Sequence, residues 1–284
     1  MNQGPPRIFD RRALSLHRER ASRFSDNGPL IQEATTGIAD RLSAINRQFI
    51  DGYVIDTLDT AMQILEANAR YWSYATLGAT EGLPLHDMSF DLVLSVLSLH
   101  AVNDLPGVLA QARRLLRPDG LFIAALFGGE TLTELRQSLS AAELAINHGV
   151  SPRVAPFGDV RDLGGLLQRA GFALPVADIE RTVIRYGAFS TLVNDLRAMG
   201  ETNALFERSR KPMSRVMLAA TAESYARHFA DPDGKLRATF DIVYLTGWAP
   251  HESQQKPLKP ASATVRLADA LGTTEVPTGE KPGQ

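Results

Sequence analysis

Cysteine is absent from the 284 residues. That excludes disulfides, thiolate metal sites, iron–sulfur ligation and cysteine nucleophiles, and it accords with a reducing cytoplasm. No apolar run approaches the ~20 residues needed to cross a bilayer. A soluble, cytoplasmic protein is expected, with membrane contact at most peripheral. The formal net charge of −2 gives no global electrostatic reason to bind nucleic acid. No GxSxG elbow, P-loop or HExxH occurs, and the six histidines show no metal-ligand spacing. Glycine is scarce early in the chain, where Gly52 stands alone between Asn46 and Val54.

Hydrophobic residues make up 44% of the chain, enough for a substantial core, and the length suits one large α/β domain with embellishments. Residues 7–24 and 30–49 read as helices separated by the breaker cluster Ser25-Asp26-Asn27-Gly28-Pro29. The first carries Arg7, Arg11, Arg12, Arg18, Arg20 and Arg23 against Asp10 and Glu19, which fits a docking helix better than a transit peptide. The second repeats Ile31, Ala34, Ile38, Leu42 and Ile45 at helical steps. Tyr53-Val54-Ile55 predicts a short strand, Thr60–Tyr71 a helix, and Tyr74–Leu77 another short strand.

Ser89 to Leu126 is the most structured stretch. Phe90 to Leu97 is nearly continuous in apolar residues, as expected for a strand covered on both faces. Asp104 and Pro106 open a helix whose buried face is Val108, Leu109, Ala112, Leu115 and Leu116. Pro118-Asp119-Gly120 predicts its exit turn, with the glycine at positive φ, and Leu121–Leu126 the next strand. Further helices are expected near 130–147, 159–170, 188–199 and 214–230. Strands are expected within 174–186 and over 237–246. The tail beyond about residue 270 lacks periodicity and reads as disordered. The domain expectation is an N-terminal helical segment at 1–50, an α/β domain at 51–250 and an extension at 251–284.

SFDLVLSVLSLHAVNDLPGVLAQARRLLRPDGLFIAAL, followed by FGGETLTELR, resembles the class I S-adenosylmethionine (SAM) methyltransferase family. The similarity extends through IFDRRALSLHRERA, SPRVAPFGDVRDLGGLLQRAGF and LTGWAPHESQQKPLKP. It lies closest to the branch holding a complex I assembly factor that hydroxylates an arginine, with the biotin-pathway malonyl-carrier-protein methyltransferase as a relative. The resemblance implies a Rossmann-like sheet and SAM as cofactor. It also implies modification or assembly of respiratory complex I, with a complex I subunit as partner. Three activities stay open: SAM-dependent transfer or arginine hydroxylation in that setting, a non-catalytic assembly relative that has lost SAM, and a small-molecule O-methyltransferase.

In such a sheet, ligands bind beyond the carboxyl ends of the strands, and a glycine-rich first loop lets the backbone approach the cofactor. By resemblance the ribose acid falls at Asp56 or Thr57. The adenine-contact acid falls at Ala79, with Glu81 as substitute and Leu83 beside it. Ser95, Leu97, Ser98 and His100 line the pocket, and Ala101 stands where an aromatic residue is common. His100 is the catalytic candidate, to orient or deprotonate a substrate group, or else it organises the turn. Asp56 and Asp59 also suit capping of the following helix. Gly128-Gly129-Glu130-Thr131 suits either substrate contact or a turn. Trp248, His251 and Gln254-Gln255-Lys256 suit a partner surface or a strand exit. The first strand, glycine loop and following helix need roughly 25 residues, yet only Arg47 to Tyr53 separate Asn46 from Val54. The fold is therefore expected to lack that unit, either because the chain is a degenerate relative or because a segment has been deleted from it, and the sheet to re-pair or stay marginal.

Overall fold

The computed structural model describes residues 7–24, 28–78, 80–84, 87–255 and 267–274. The chain divides into two units, Met1–Pro250 and His251–Gln284. In the first, α1 (Arg11–Ala21) and α2 (Pro29–Ser43) precede β1 (Phe49–Ile55), α3 (Asp59–Leu65), β2 (Ala69–Ala75) and β3 (Phe90–Val96). Then come α4 (Leu105–Leu115), β4 (Leu116–Gly128), α5 (Thr133–Asn147), α6 (Val160–Arg169) and β5 (Ala173–Tyr186). The unit ends with α7 (Phe189–Ala198), α8 (Arg215–Phe229) and β6 (Leu236–Trp248). The second unit holds the short helix α9 (Leu267–Leu271). The expected disorder concerns a stretch that lies largely outside the described residues.

The sheet runs β2-β1-β3-β4-β6-β5. Its β2-β1-β3-β4 side is parallel, and β6 runs antiparallel to both β4 and β5. β1 lies directly against β3, joined through Gly52–Leu92, Tyr53–Val93 and Val54–Leu94. That ladder is shorter than the one β1 makes with β2, which extends from Phe49–Ala69 to Ile55–Ala75.

Alternation along the central strands sorts side chains onto two faces. Val54, Leu92, Leu94, Val96, Leu121, Ile123 and Ala125 join one core, roofed by Leu30, Ile31, Ala34, Ile38 and Leu42 of α2. Tyr53, Ile55, Val93, Phe122, Ala124 and Leu126 join the other, under Val108, Leu109, Ala112 and Leu115 of α4. Helices on both faces explain why these strands read as unbroken apolar runs.

Several boundaries differ from expectation. The predicted helix Thr60–Tyr71 stops at Leu65, because the aromatic-rich stretch Ala69–Ala75 pairs with β1 instead. Trp72 Nε1 fixes the junction by donating to Glu66 O at 2.9 Å. The predicted exit at Pro118-Asp119-Gly120 is also different. The helix ends at Leu115, the chain continues extended, and the positive φ (64°) falls on Asp119 rather than Gly120. The register irregularity between Phe90 and Leu92 absorbs the extra residues. Helix α2 ends at Ser43 rather than near residue 49, and β1 starts earlier than the predicted Tyr53.

Gly52 is a packing glycine, since a Cβ there would run into the Trp72 indole. Gly52→Val is expected to cost about 1–3 kcal/mol through overpacking. Gly165 faces open space within α6, so Gly165→Ala is expected to gain about 0.5–1 kcal/mol. Urea unfolding of both variants checks the pair.

Candidate functional site

Side chains of α1 reach the segments that follow the carboxyl ends of β1, β2 and β3. Asp56 follows β1 with φ 50° and a side chain only 4% exposed. Its carboxylate is held by the Arg18 guanidinium and, at 3.4 Å, by Arg11 Nη2. Arg11 also donates to Leu77 O at 2.7 Å, Ala101 O at 3.1 Å and Gly78 O at 3.4 Å, and lies 3.6 Å from Glu81 Oε1. Arg18 reaches Ser98 O at 3.4 Å. The two arginines are seven residues apart, two helical turns, and so share a face of α1.

Thr57 Oγ1 donates to Ile55 O at 3.1 Å and accepts from Val96 N at 2.9 Å, bridging β1 to β3. Ser95 Oγ donates to Ile55 O at 2.9 Å and lies 2.7 Å from Ser98 Oγ; both serines are fully buried. Leu97 takes φ 45°, donates its N–H to Ala125 O at 2.8 Å, and sits in the α2-side core. Leu83 lies in the α4-side core, its N–H bonded to Gln111 Oε1 at 2.8 Å. The buried Glu81 carboxylate accepts from Asn103 N at 2.8 Å, Asn103 Nδ2 at 3.0 Å and Asp104 N at 2.8 Å. It thereby organises the turn into α4, whose N-terminus Asp104 caps through Gly107 N at 2.9 Å. Ala79 lies outside the described residues.

His100 is buried between Phe127 and Phe157, with ring centroids 5.0 and 5.9 Å away. Its Nε2 faces both Glu201 carboxylate oxygens at 3.2 Å, and Phe127 N–H approaches Nδ1 at 3.5 Å. Burial alone would raise the Glu201 carboxyl, but His100, Arg18 and His17 outweigh it and hold the group below its usual range.

Beyond Phe157 opens a cleft of about 740 Å³, walled by Ile8, Val154, Pro156, Phe157 and Leu205, with Arg7, Arg136 and Glu207 at its polar positions. Gly129, at φ 46°, also lines it. Thr131 is fully buried, bonding Gly128 O at 2.7 Å and Asp241 O at 3.2 Å, so it serves the turn into α5. Trp248 is half-buried at the strand exit. In the second unit, His251 Nδ1 lies 2.7 Å from Ser253 Oγ. Lys256 is outside the described residues. Among the described residues no group of three or more His, Asp or Glu is arranged to hold a metal.

These residues do not fit SAM in the way the resemblance implies. Between the end of α2 at Ser43 and Val54 the chain offers only Gly52, and that glycine lies within β1 rather than in a loop that could cradle a cofactor. Asp56 is held by two arginines, Glu81 by amides, and Ser95 and Ser98 by each other. The cleft above β1 and β2, about 260 Å³ and bounded by Arg11, Arg18, Asp56, Thr57 and Thr76, is smaller than the roughly 300–1,000 Å³ of small-molecule sites. The structure places Asp56, Thr57, Ser95 and Ser98, which sequence reasoning grouped, at the neighbouring ends of β1 and β3. That reasoning missed Arg11, Arg18, Glu201 and Phe157; only the arginine spacing on one helix gave a usable signal.

Residues 34–124 match a family model described as "Methyltransferase domain". The mitochondrial arginine-hydroxylase NDUFAF5 of Mus musculus is 37% identical over 298 aligned positions, covering 96% of this chain and 87% of that protein. Those positions exceed the 96% of 284 residues by about 25, so the mouse protein carries about that many residues with no counterpart here. That is the size of a strand–loop–helix unit. The Danio rerio protein of the same name is 47% identical over 189 residues, 66% of this chain and 59% of that protein, so the chain spans well under two thirds of it. The malonyl-[acyl-carrier protein] O-methyltransferase of Xylella fastidiosa is 36% identical over 78% of this chain and 74% of that protein. Among solved structures, the [4+2]-cyclase SpnF aligns with a TM-score of 0.45 at 12% identity, over 87% of this chain and 99% of that chain.

Proposed function

The chain belongs to the methyltransferase-like family that contains NDUFAF5 arginine-hydroxylases and malonyl-[acyl-carrier protein] O-methyltransferases, and from that premise we propose that it serves the modification or assembly of respiratory complex I. The observation that carries the choice is the similarity to the NDUFAF5 proteins, which takes in 96% of this chain. Its partner in this reading is a complex I subunit presenting an arginine. The 740 Å³ cleft beside Phe157, walled by apolar side chains with Arg7, Arg136 and Glu207 at its polar positions, has the size to receive a protein side chain. No helix among the described residues is long and apolar enough to cross a membrane, so contact with a membrane-bound complex would be peripheral.

A second reading, a non-catalytic assembly protein, is favoured by one observation: the Asp56 carboxylate is already neutralised by Arg11 and Arg18. One experiment separates the two. SAM binding is measured by calorimetry for this chain and for a version with a family-type strand, glycine loop and helix inserted between Asn46 and Val54. Both are also expressed in cells lacking their NDUFAF5 relative, and complex I assembly is followed. Rescue by both chains, with binding only after insertion, is the expected result for the assembly protein. Binding by the chain as it stands supports the enzyme. Failure of both to rescue overturns the complex I role.

A further inference from the structure

Helix α1 has little apolar surface of its own to hold it. Only Ala13, Leu14 and Ala21 are buried along its 11 residues, a length at which an isolated helix is marginal in water. Its polar attachments are far more extensive. Arg11 and Arg18, on one face, reach Asp56 after β1, Leu77 and Gly78 after β2, and Ser98 and Ala101 after β3. The Arg11 and Asp56 side chains are 7% and 4% exposed. At such depth a lone charge is costly, so each group needs its partners to remain buried. Two guanidiniums face two carboxylates, Asp56 and Glu81, and the cluster is neutral.

We propose that α1 is an intramolecular clasp, with Asp56 as its receptor: the Arg11 and Arg18 guanidiniums occupy the strand-end position where this fold ordinarily takes a ligand. The clasp closes the mouth left by the missing strand and loop and ties together three loops that the shortened β1–β3 ladder would leave loosely joined. Any ligand using the Asp56 carboxylate must first displace α1. The proposal deepens the reading that this cleft does not hold SAM, and it concerns the helix rather than the partner.

Hydrogen exchange on the full chain tests it, followed separately for the amides of α1 and of β3 and β4. Asp56→Asn is expected to speed exchange in α1 about tenfold or more, with the strands unchanged, as for local opening of a segment. Arg12→Ala, which removes an exposed arginine of the same helix with no ion pair among the described residues, should change nothing. Should Asp56→Asn fail to fold, Arg18→Lys keeps the charge but loses the planar fork, and should open α1 to a smaller extent. SAM added to the unaltered chain should leave α1 exchange as it was. The clasp is overturned if α1 exchange is indifferent to both Asp56→Asn and Arg18→Lys, an outcome that leaves the complex I reading intact. It is equally overturned if SAM slows exchange in α1, because the helix then closes over a cofactor rather than standing in its place.

Discussion

Replacing Glu81 by alanine is expected to lower the unfolding free energy by about 3–5 kcal/mol, the range for breaking a buried charge cluster from one side. The carboxylate satisfies two backbone amides, Asn103 N and Asp104 N, and the Asn103 side-chain amide, all within 3.0 Å. It also faces the buried Arg11 guanidinium at 3.6 Å. Alanine leaves those donors without an acceptor and leaves two arginines facing Asp56 alone. Asn103 is itself a hub, its Oδ1 accepting from Ile8 N and Phe9 N at 2.8 Å each. The damage should therefore spread to the segment entering α1. Glu81→Gln keeps the shape and one acceptor oxygen, and is expected to lose about 1–2 kcal/mol. Denaturant titration of both variants gives the comparison. Equal, small losses would mean the loop finds other acceptors.

Acid should act in part through Glu143. Its carboxylate lies 4% exposed on α5, accepts from Ser151 N, Ser151 Oγ and Arg153 Nη2 at 2.8 Å each, and is depressed to about 2. Burial opposes this shift, and the Arg153 and Ser151 hydrogen bonds outweigh it. A carboxyl with a lower pKa folded than unfolded stabilises the fold above the unfolded value and loses that contribution as pH falls through the folded value. The window is thus about pH 4.5 down to about 2, and the contribution at stake is about 3 kcal/mol. Stability measured against pH should fall through that window in the parent chain. In Glu143→Gln it should start lower and fall less. Parallel curves for the two chains would remove Glu143 from the account.

Much of the fold was open to reading because it depends on local pattern. Phe90–Val96 and Leu121–Leu126 read as covered strands, and α4 read from Asp104 to Leu115, because apolar periodicity reports which faces are buried. Ala69–Ala75 was misread in part because a helical stripe through Met62, Leu65 and Ala69 persists past the point where β1 offers a backbone ladder. Periodicity cannot register that competition. Asp119 took the positive φ expected of Gly120 because β4 begins immediately after α4, and only the neighbouring strand reveals that.

The site divides the same way. Which residues reach the carboxyl ends of the strands follows from chain order, so Asp56, Thr57, Ser95 and Ser98 could be placed in advance. What those residues bind could not. Arg11 meets Asp56 across 45 positions and His100 meets Glu201 across 101, separations at which sequence pattern carries no pairing information. The sequence by itself determined the α/β class, from the periodicity of its strands and helices, and carried the expectation of one strand–loop–helix unit fewer, from counting residues against the length of a strand and a helix. Only the tertiary structure decided how the gap is closed, because ladder pairing and buried ion pairs depend on which groups folding brings within about 3 Å. Here β1 moves against β3, and the protein's own arginines satisfy the acid that this fold would otherwise present to a ligand.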